Sequence, residues 1–217
     1  FKNLCLNDHQ FEWKYDGIRG QIIKRSNNIS IWTRGEELVN NSFPELVSLI
    51  SMIKDDFVID GEILIWDSKS KFPDNFGSLQ KRLRRNSPSN KIQKDLPISF
   101  LIYDLLELNG KDLRGNILSL RRDQLEKSYS IWKEKTSDPY FDKLRLINLI
   151  NVLNWEDVEN KKNNSRNFNT EGLVIKNKNS KYLPGRKKGN WWKYKVDPMQ
   201  LDAVLVYAKV GTGKRAD

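Results

Sequence analysis

Cysteine is almost missing from this chain of 217 residues: Cys5 stands alone, so no intramolecular disulfide can form and no cysteine-based metal cluster is available. A reducing compartment is the simplest home. Histidine is as scarce, and His9, its single example, reads as a surface or capping residue. No apolar run approaches the roughly 18–20 residues that a membrane span needs, and Phe1 to Cys5 lack the basic-then-apolar pattern of a secretion signal. A soluble, cytoplasmic protein with no membrane partner is expected. Acidic residues are in deficit, 28 against 38 Lys and Arg, and the net charge of +10 favours a polyanionic partner through phosphate contacts and counterion release. With 38% hydrophobic and 11% aromatic residues the chain carries enough Trp, Tyr and Phe for a packed interior, which excludes a disordered one. The length suits one full domain and the start of another.

Segments rich in β-branched and aromatic residues predict strands at Phe11 to Tyr15, Ile18 to Ile23, Ile29 to Thr33, Phe57 to Trp66 and Ile98 to Leu105. Leu144 to Ile150, Gly172 to Lys176, Trp191 to Val196 and Asp202 to Ala208 follow the same logic. A helix is expected from Phe43, where Leu46, Val47, Ile50 and Ile53 keep the 3.6-residue period behind a Ser42 cap. Leu118, Leu125, Tyr129 and Trp132 mark another. Asn160 to Asn169, crowded with Asn, Lys and Ser, reads as a solvated loop. Strands dominate without regular βαβ alternation, so an α+β fold of largely antiparallel sheets with flanking helices is expected rather than a doubly wound one. Asp197-Pro198 is the best boundary: residues 1–197 form the first domain, and 198–217, which restarts as a strand, opens a second and incomplete one.

Lys14-Tyr15-Asp16-Gly17 lies between two apolar strands, and Asp-Gly is a common turn pair, so on its own it fits an ordinary hairpin. Its company argues for more. Glu62 and Glu171 are embedded in apolar strands and need partners. Lys193 and Lys195, two apart in a strand, share one face opposite large aromatics. From Lys176 to Lys195 there are eight Lys or Arg and no acid, a pattern that phosphate explains better than solubility does. The cluster Lys81, Arg82, Arg84, Arg85, Lys91 and Lys94 reads as a solvated face that also meets duplex backbone.

In their order these pieces resemble the covalent nucleotidyltransferases, which comprise ATP-dependent DNA ligases, RNA ligases and mRNA capping enzymes. Lys14 to Arg19 resembles the nucleophile motif, Thr33-Arg34-Gly35 the next, Asp60-Gly61-Glu62 the third, Phe100 to Leu106 the aromatic-Asp motif, Glu171 to Lys176 the fourth and Trp191 to Lys195 the fifth. Phe76 to Leu83, Leu118 to Arg122 and Ser180 to Arg186 are most similar to bacterial ATP-dependent DNA ligases. Asp202 to Ala208 with Gly211, Gly213 and Arg215 looks like the entry into the OB-fold that follows in those enzymes. The resemblance implies an ATP-grasp-like nucleotidyltransferase domain of a longer ligase, with the family's sixth motif and any separate DNA-binding domain outside this chain.

It also implies roles. Lys14 would be the adenylated nucleophile, freed of its proton by burial, cations or metal. Lys193 and Lys195 would supply the positive field over the α-phosphate. Glu62 would contact the ribose and, with Glu171 on the metal side, hold Mg²⁺. Tyr103 would stack on adenine, Glu12 would accept its 6-amino hydrogen, Lys176 would lie near the phosphates, and Arg19 and Arg34 would grip the terminal phosphates of ATP or the nick 5′-phosphate. Asp16 would order its turn. ATP, Mg²⁺ and nicked duplex DNA are the expected cofactors and partner, a monomer the default state. An RNA ligase or capping guanylyltransferase shares the Lys14 chemistry and remains open, as does a non-catalytic basic nucleic-acid module.

Overall fold

The computed structural model describes residues 4–83, 85–136, 141–185, 187–197, 202–207 and 209–210. Backbone pairing sorts its strands into two sheets. The larger is built from β2 (Ile18–Arg25), β3 (Asn28–Thr33), β4 (Phe57–Ile65), β5 (Ile98–Leu108), β6 (Lys111–Asp112) and β7 (Leu144–Leu146), in the order β3-β2-β4-β5-β6 with β7 parallel to β5. The smaller is β1 (His9–Tyr15), β8 (Thr170–Asn177) and β9 (Trp191–Lys195), antiparallel in the order β1-β8-β9. Helices α1 (Pro44–Ser51), α2 (Phe76–Leu83), α3 (Asn90–Asp95), α4 (Leu118–Lys135) and α5 (Trp155–Asn163) flank them. The α+β reading with largely antiparallel sheets describes this arrangement.

Alternation along the strands decides which face each sheet turns to the helices. Ile22 of β2 and Phe57, Ile59, Ile63 and Ile65 of β4 join Leu46, Leu49 and Ile50 of α1, Leu79 of α2 and Leu125 and Trp132 of α4 in one core. The opposite parity, Arg19 and Gln21 on β2 and Asp60 and Glu62 on β4, is left for the other face. In the small sheet Phe11, Leu173 and Ile175 pack with Val158 and Trp155 of α5 and with Trp192 and Tyr194 of β9. Gln10, Glu12 and Lys14 alternate with Phe11 and Trp13 and so face the other way, as do Trp191, Lys193 and Lys195. A third cluster of Leu64, Leu101 and Ile147, with Tyr15, Trp66 and Tyr103 against it, joins the two sheets. The polar faces of both sheets therefore meet across a cleft.

Five expectations need correcting. The hairpin is absent: β1 pairs with β8 and β2 with β3 and β4, so Tyr15-Asp16-Gly17 carries the chain from one sheet to the other. The 160–169 segment is no loop, because Asn154 caps α5 through Asp157 N–H at 2.9 Å, Val158 is buried, and a 3-10 turn follows at Ser165–Phe168. Ser42 makes no cap; Phe43, wholly buried, occupies the cap position with Pro44 in the first turn. Arg82 is buried against Glu45 rather than solvated, while Lys81, Arg85, Lys91 and Lys94 are exposed. The expected strand from Leu144 to Ile150 is shorter, β7 ending at Leu146 before Leu149 bridges to Glu12.

Residues 202–207 form no strand and expose Val204, Leu205, Val206 and Tyr207. An apolar strand needs a neighbour to satisfy its backbone groups. Arg84, Arg186, Pro198, Leu201, Ala208, Gly211, Gly213 and Arg215, named above or within the ranges above, lie outside the described residues. Among the described residues, no helix is long and apolar enough to cross a membrane.

Candidate active site

Lys14 ends β1 where the chain leaves one sheet for the other. Its ammonium contacts Glu171 Oε2, and the same oxygen lies 3.0 Å from Lys195 Nζ. Glu171 reaches this face because the β1–β8 register slips between Trp13 and Tyr15, and because Gly172 sits at φ +132°, which side chains rarely adopt. A Cβ on Gly172 would also stand 2.8 Å from Lys195 Cα. Gly17 is held as tightly: a Cβ there would lie 2.6 Å from Leu64 Cδ2 and 2.8 Å from Glu62 Cγ. The two glycines let the strand ends close on each other.

Burial would raise the Glu171 carboxyl, but the hydrogen bonds from Lys14 and Lys195 outweigh it and hold the group below the usual carboxylate range. Asp16 moves the other way, raised first by burial and then by the neighbouring charge of Glu171. Lys193 is lowered by burial and by the positive charges of Lys14, Arg34 and Lys195, which marks it as part of the same cationic group. The structure thus brings Lys14, Lys193, Lys195, Arg34, Glu62 and Glu171 into one electrostatic unit.

Glu62 on β4 is the cross-strand partner of Arg19 on β2, and its carboxylate accepts the Gly17 N–H. Burial pushes it up to about 7, opposed by the nearby Lys14 charge. The folded chain therefore holds this proton more tightly than the unfolded chain does. The stability this gives is complete below the ordinary carboxylate range, near 4.5, and is lost as pH rises through 7. Glu62→Gln removes that loss. In the protein free of nucleotide and metal, thermal unfolding should show the variant gaining on the parent, by on the order of 2 kcal/mol, between pH 5 and pH 8; an equal difference at both pH values would contradict the shift.

A family model described as the ATP dependent DNA ligase domain matches residues 1–195. The chain belongs to this family. A DNA ligase 2 of Methanosarcina acetivorans is 34% identical over 208 residues, covering 95% of this chain and 36% of that protein. A DNA ligase of Methanococcus maripaludis is 34% identical over 217 residues, covering 96% and 38%. These relatives are archaeal, where the sequence resemblance pointed to bacterial enzymes, and the chain spans little more than a third of their length. Among solved structures, the ligase domain of LigD from M. tuberculosis superposes with TM-score 0.66 at 25% identity over 88% of this chain and 56% of that one. The bacteriophage T7 ATP-dependent DNA ligase, in complex with ATP, shares the fold at TM-score 0.62 and 19% identity over 87% and 62%.

The remaining candidates line the cleft of this ligase domain in two groups. Arg34 continues from β3 into a turn and donates its backbone N–H to Arg19 O at 3.1 Å. Together with Gly20, Gln21, Trp32 and Thr33 the two arginines line an open groove of about 210 Å³. Arg19 itself is tied to Asp60, Nε to Oδ1 at 3.1 Å and Nη2 to Oδ2 at 2.6 Å.

Deeper in the cleft Lys176 Nζ lies 4.5 Å from the Tyr103 ring centroid and 4.4 Å from that of Trp191. It also contacts Glu12 Oε2 at 2.6 Å, an ion pair out of line for a hydrogen bond. Gln10 donates to the other Glu12 oxygen at 2.8 Å. Glu12 is 1% exposed and Lys176 2%, so a base can reach Glu12, and phosphate Lys176, only if this pair opens. Tyr103 donates to Asp60 Oδ1 at 3.0 Å. Sequence reasoning assigned no role to Asp60 beyond its motif, nor any to Tyr182, which donates to Asp60 Oδ2 at 2.8 Å. The signal for Asp60 was present: it is a second acid in the same apolar strand as Glu62.

Proposed function

We propose that this chain is the adenylation domain of an ATP-dependent DNA ligase: it takes AMP from ATP onto Lys14 and transfers it to the 5′-phosphate of a nick in duplex DNA, which the 3′-hydroxyl then seals. Residues 1–197 are that domain and 198–217 open an OB-fold. One observation carries the reading: the Lys14 amine stands at the junction of two sheets against Glu171, with Lys195 on the same carboxylate and Lys193 beside them. A solubility lysine has no use for that setting.

In the first step Lys14 Nζ attacks the α-phosphorus, the bond to pyrophosphate breaks, and Nζ loses its proton. Glu171 holds the amine in place until that proton leaves for solvent. Lys193 and Lys195 neutralise the charge that develops on the α-phosphate, where fixed cations in a water-poor cleft act most strongly. Arg19 and Arg34 hold terminal phosphates or the nick 5′-phosphate in their groove. Glu62, near neutrality, both accepts from and donates to a ribose hydroxyl. Tyr103 and Trp191 offer apolar ring surface to the base, and Glu12 selects adenine once released from Lys176.

Among the described residues no three carboxylates, histidines or cysteines converge on a metal position. Asp16 and Glu171 nevertheless face each other as like charges, and one or two carboxylates beside substrate phosphates is the donor set that Mg²⁺ prefers. When bound there, Mg²⁺ would supply charge neutralisation at the phosphates.

The test is incubation of the intact protein with Mg²⁺ and ATP labelled at the α-phosphate, followed by denaturation. Label is expected on the parent, absent from Lys14→Ala and much weaker with GTP. Unchanged labelling of Lys14→Ala would remove the nucleophile. Failure of the parent to seal a pre-adenylated nick would remove the ligase.

A further inference from the structure

Two segments most similar to ligases, Leu118 to Arg122 and Ser180 to Arg186, carry no chemistry of their own, yet the fold brings them together. Arg121 is wholly buried; its Nε and Nη2 donate to the two Asp104 oxygens at 2.8 Å each. Arg121 Nη1 donates to Asn116 O at 2.6 Å and to Ser180 O at 3.2 Å. Tyr182 donates its backbone N–H to Arg114 O at 3.0 Å. The loop after β8 is thereby fastened to the start of α4.

From that loop Tyr182 reaches the face of β2 and β4. Its hydroxyl donates to Asp60 Oδ2 at 2.8 Å and accepts from Arg19 Nη2 at 2.7 Å and from Gln21 Nε2 at 3.2 Å. Asp60, fully buried, then accepts four bonds, two from Arg19 and one each from Tyr103 and Tyr182. Both the carboxylate and the Tyr182 hydroxyl are saturated. Arg19 Nε and Nη2 are committed to this network, and Nη1 has no acceptor among the described residues, on a side chain that lines the groove with Arg34.

We propose that Tyr182 is a positioning residue for Arg19: its hydroxyl closes the Asp60 network and fixes the guanidinium with its Nη1 edge free for a phosphate. An arginine on a mobile stem loses rotamer freedom when it clamps an anion, and one already held does not. The inference rests on the ligase reading for the identity of the phosphate, but not for the hold itself.

Tyr182→Phe keeps the ring, with its edge contact to Trp191 at 6.4 Å, and removes only the hydroxyl. In the intact protein, sealing of pre-adenylated nicked DNA is expected to slow roughly tenfold, the effect of one hydrogen bond to a charged group. In an Arg19→Ala background the same change should cost less than about twofold more, because the group it positions is gone. Independently of activity, NMR should show hydrogen exchange at Arg19 Nε accelerating in Tyr182→Phe. Unchanged sealing with unchanged exchange would overturn the proposal, as would a full further tenfold loss without Arg19. Should the parent not seal nicks, the ligase reading falls alone and the exchange measurement still decides whether Tyr182 holds Arg19.

Discussion

Glu171→Gln is expected to slow adenylation of Lys14 by roughly 10²–10³-fold while the protein stays folded. The substitution keeps the size and one acceptor oxygen of the side chain, removes its charge and turns the other oxygen into a donor. That charge is what two lysines share: Glu171 Oε2 contacts Lys14 and lies 3.0 Å from Lys195. Without it the two ammonium groups face each other across a neutral amide, and like charges a few ångströms apart move apart. Lys14 then leaves the position from which its nitrogen meets an α-phosphate, and misplacement by about 1 Å alone can cost 10²-fold. The like-charge approach of Glu171 and Asp16, proposed above as the place for Mg²⁺, is lost at the same time. Single-turnover labelling with ATP carrying label at the α-phosphate, at saturating ATP, isolates the step. Glu171→Asp, which keeps the charge on a shorter stem, should recover part of the rate. A parental rate in Glu171→Gln would mean that the carboxylate is a bystander and that the contact with Lys14 only parks the amine.

Strand alternation made most of this site readable in advance. Glu62 and Glu171 stood out as acids in apolar strands, and Lys193 and Lys195 as a pair on one face, because period-2 burial constrains each strand locally. What lay outside a strand's own pattern was harder to see. Asp16-Gly17 has the chemistry of a hairpin turn, and nothing local says that β1 and β2 belong to different sheets. That is decided by long-range packing of Tyr15 with Trp66, Leu64 and Leu101. The 160–169 segment is polar in composition, but a buried Val158, the Asn154 cap and Lys162 lying 4.7 Å over the Tyr194 ring hold its first half in α5. Composition describes a surface; it does not forbid a helix beneath it. Similarly, Glu12 and Lys176 carry the right chemistry for base and phosphate, yet their mutual burial appears only once β1 and β8 are set side by side.

Arg82 is the sharpest case, and it sets the largest stability effect: Glu45→Ala should destabilise the protein by about 3–5 kcal/mol. In a run of Lys81, Arg82, Arg84 and Arg85 every cation looks solvated, but the period of α2 turns Leu79, Arg82 and Leu83 inward and Lys81 outward. Arg82 is wholly buried, packs 5.9 Å from the Phe43 ring centroid and pairs through Nη2 with Glu45 on α1. Among the described residues its Nε and Nη1 find no acceptor, so the Glu45 charge is the main compensation for a guanidinium removed from water. Deleting the carboxylate leaves that charge unpaired in the core, whereas replacing both partners removes the need for compensation. Arg82→Met combined with Glu45→Leu should therefore stand far closer to the parent than Glu45→Ala does, and the non-additivity is the diagnostic. Urea unfolding followed by tryptophan fluorescence reports all three, with Trp132 in the same core as a probe. If Glu45→Ala lost less than about 1 kcal/mol, Arg82 would have to reach water on losing its partner. The α1–α2 contact would then be a surface pair, and the first reading of that basic run would stand.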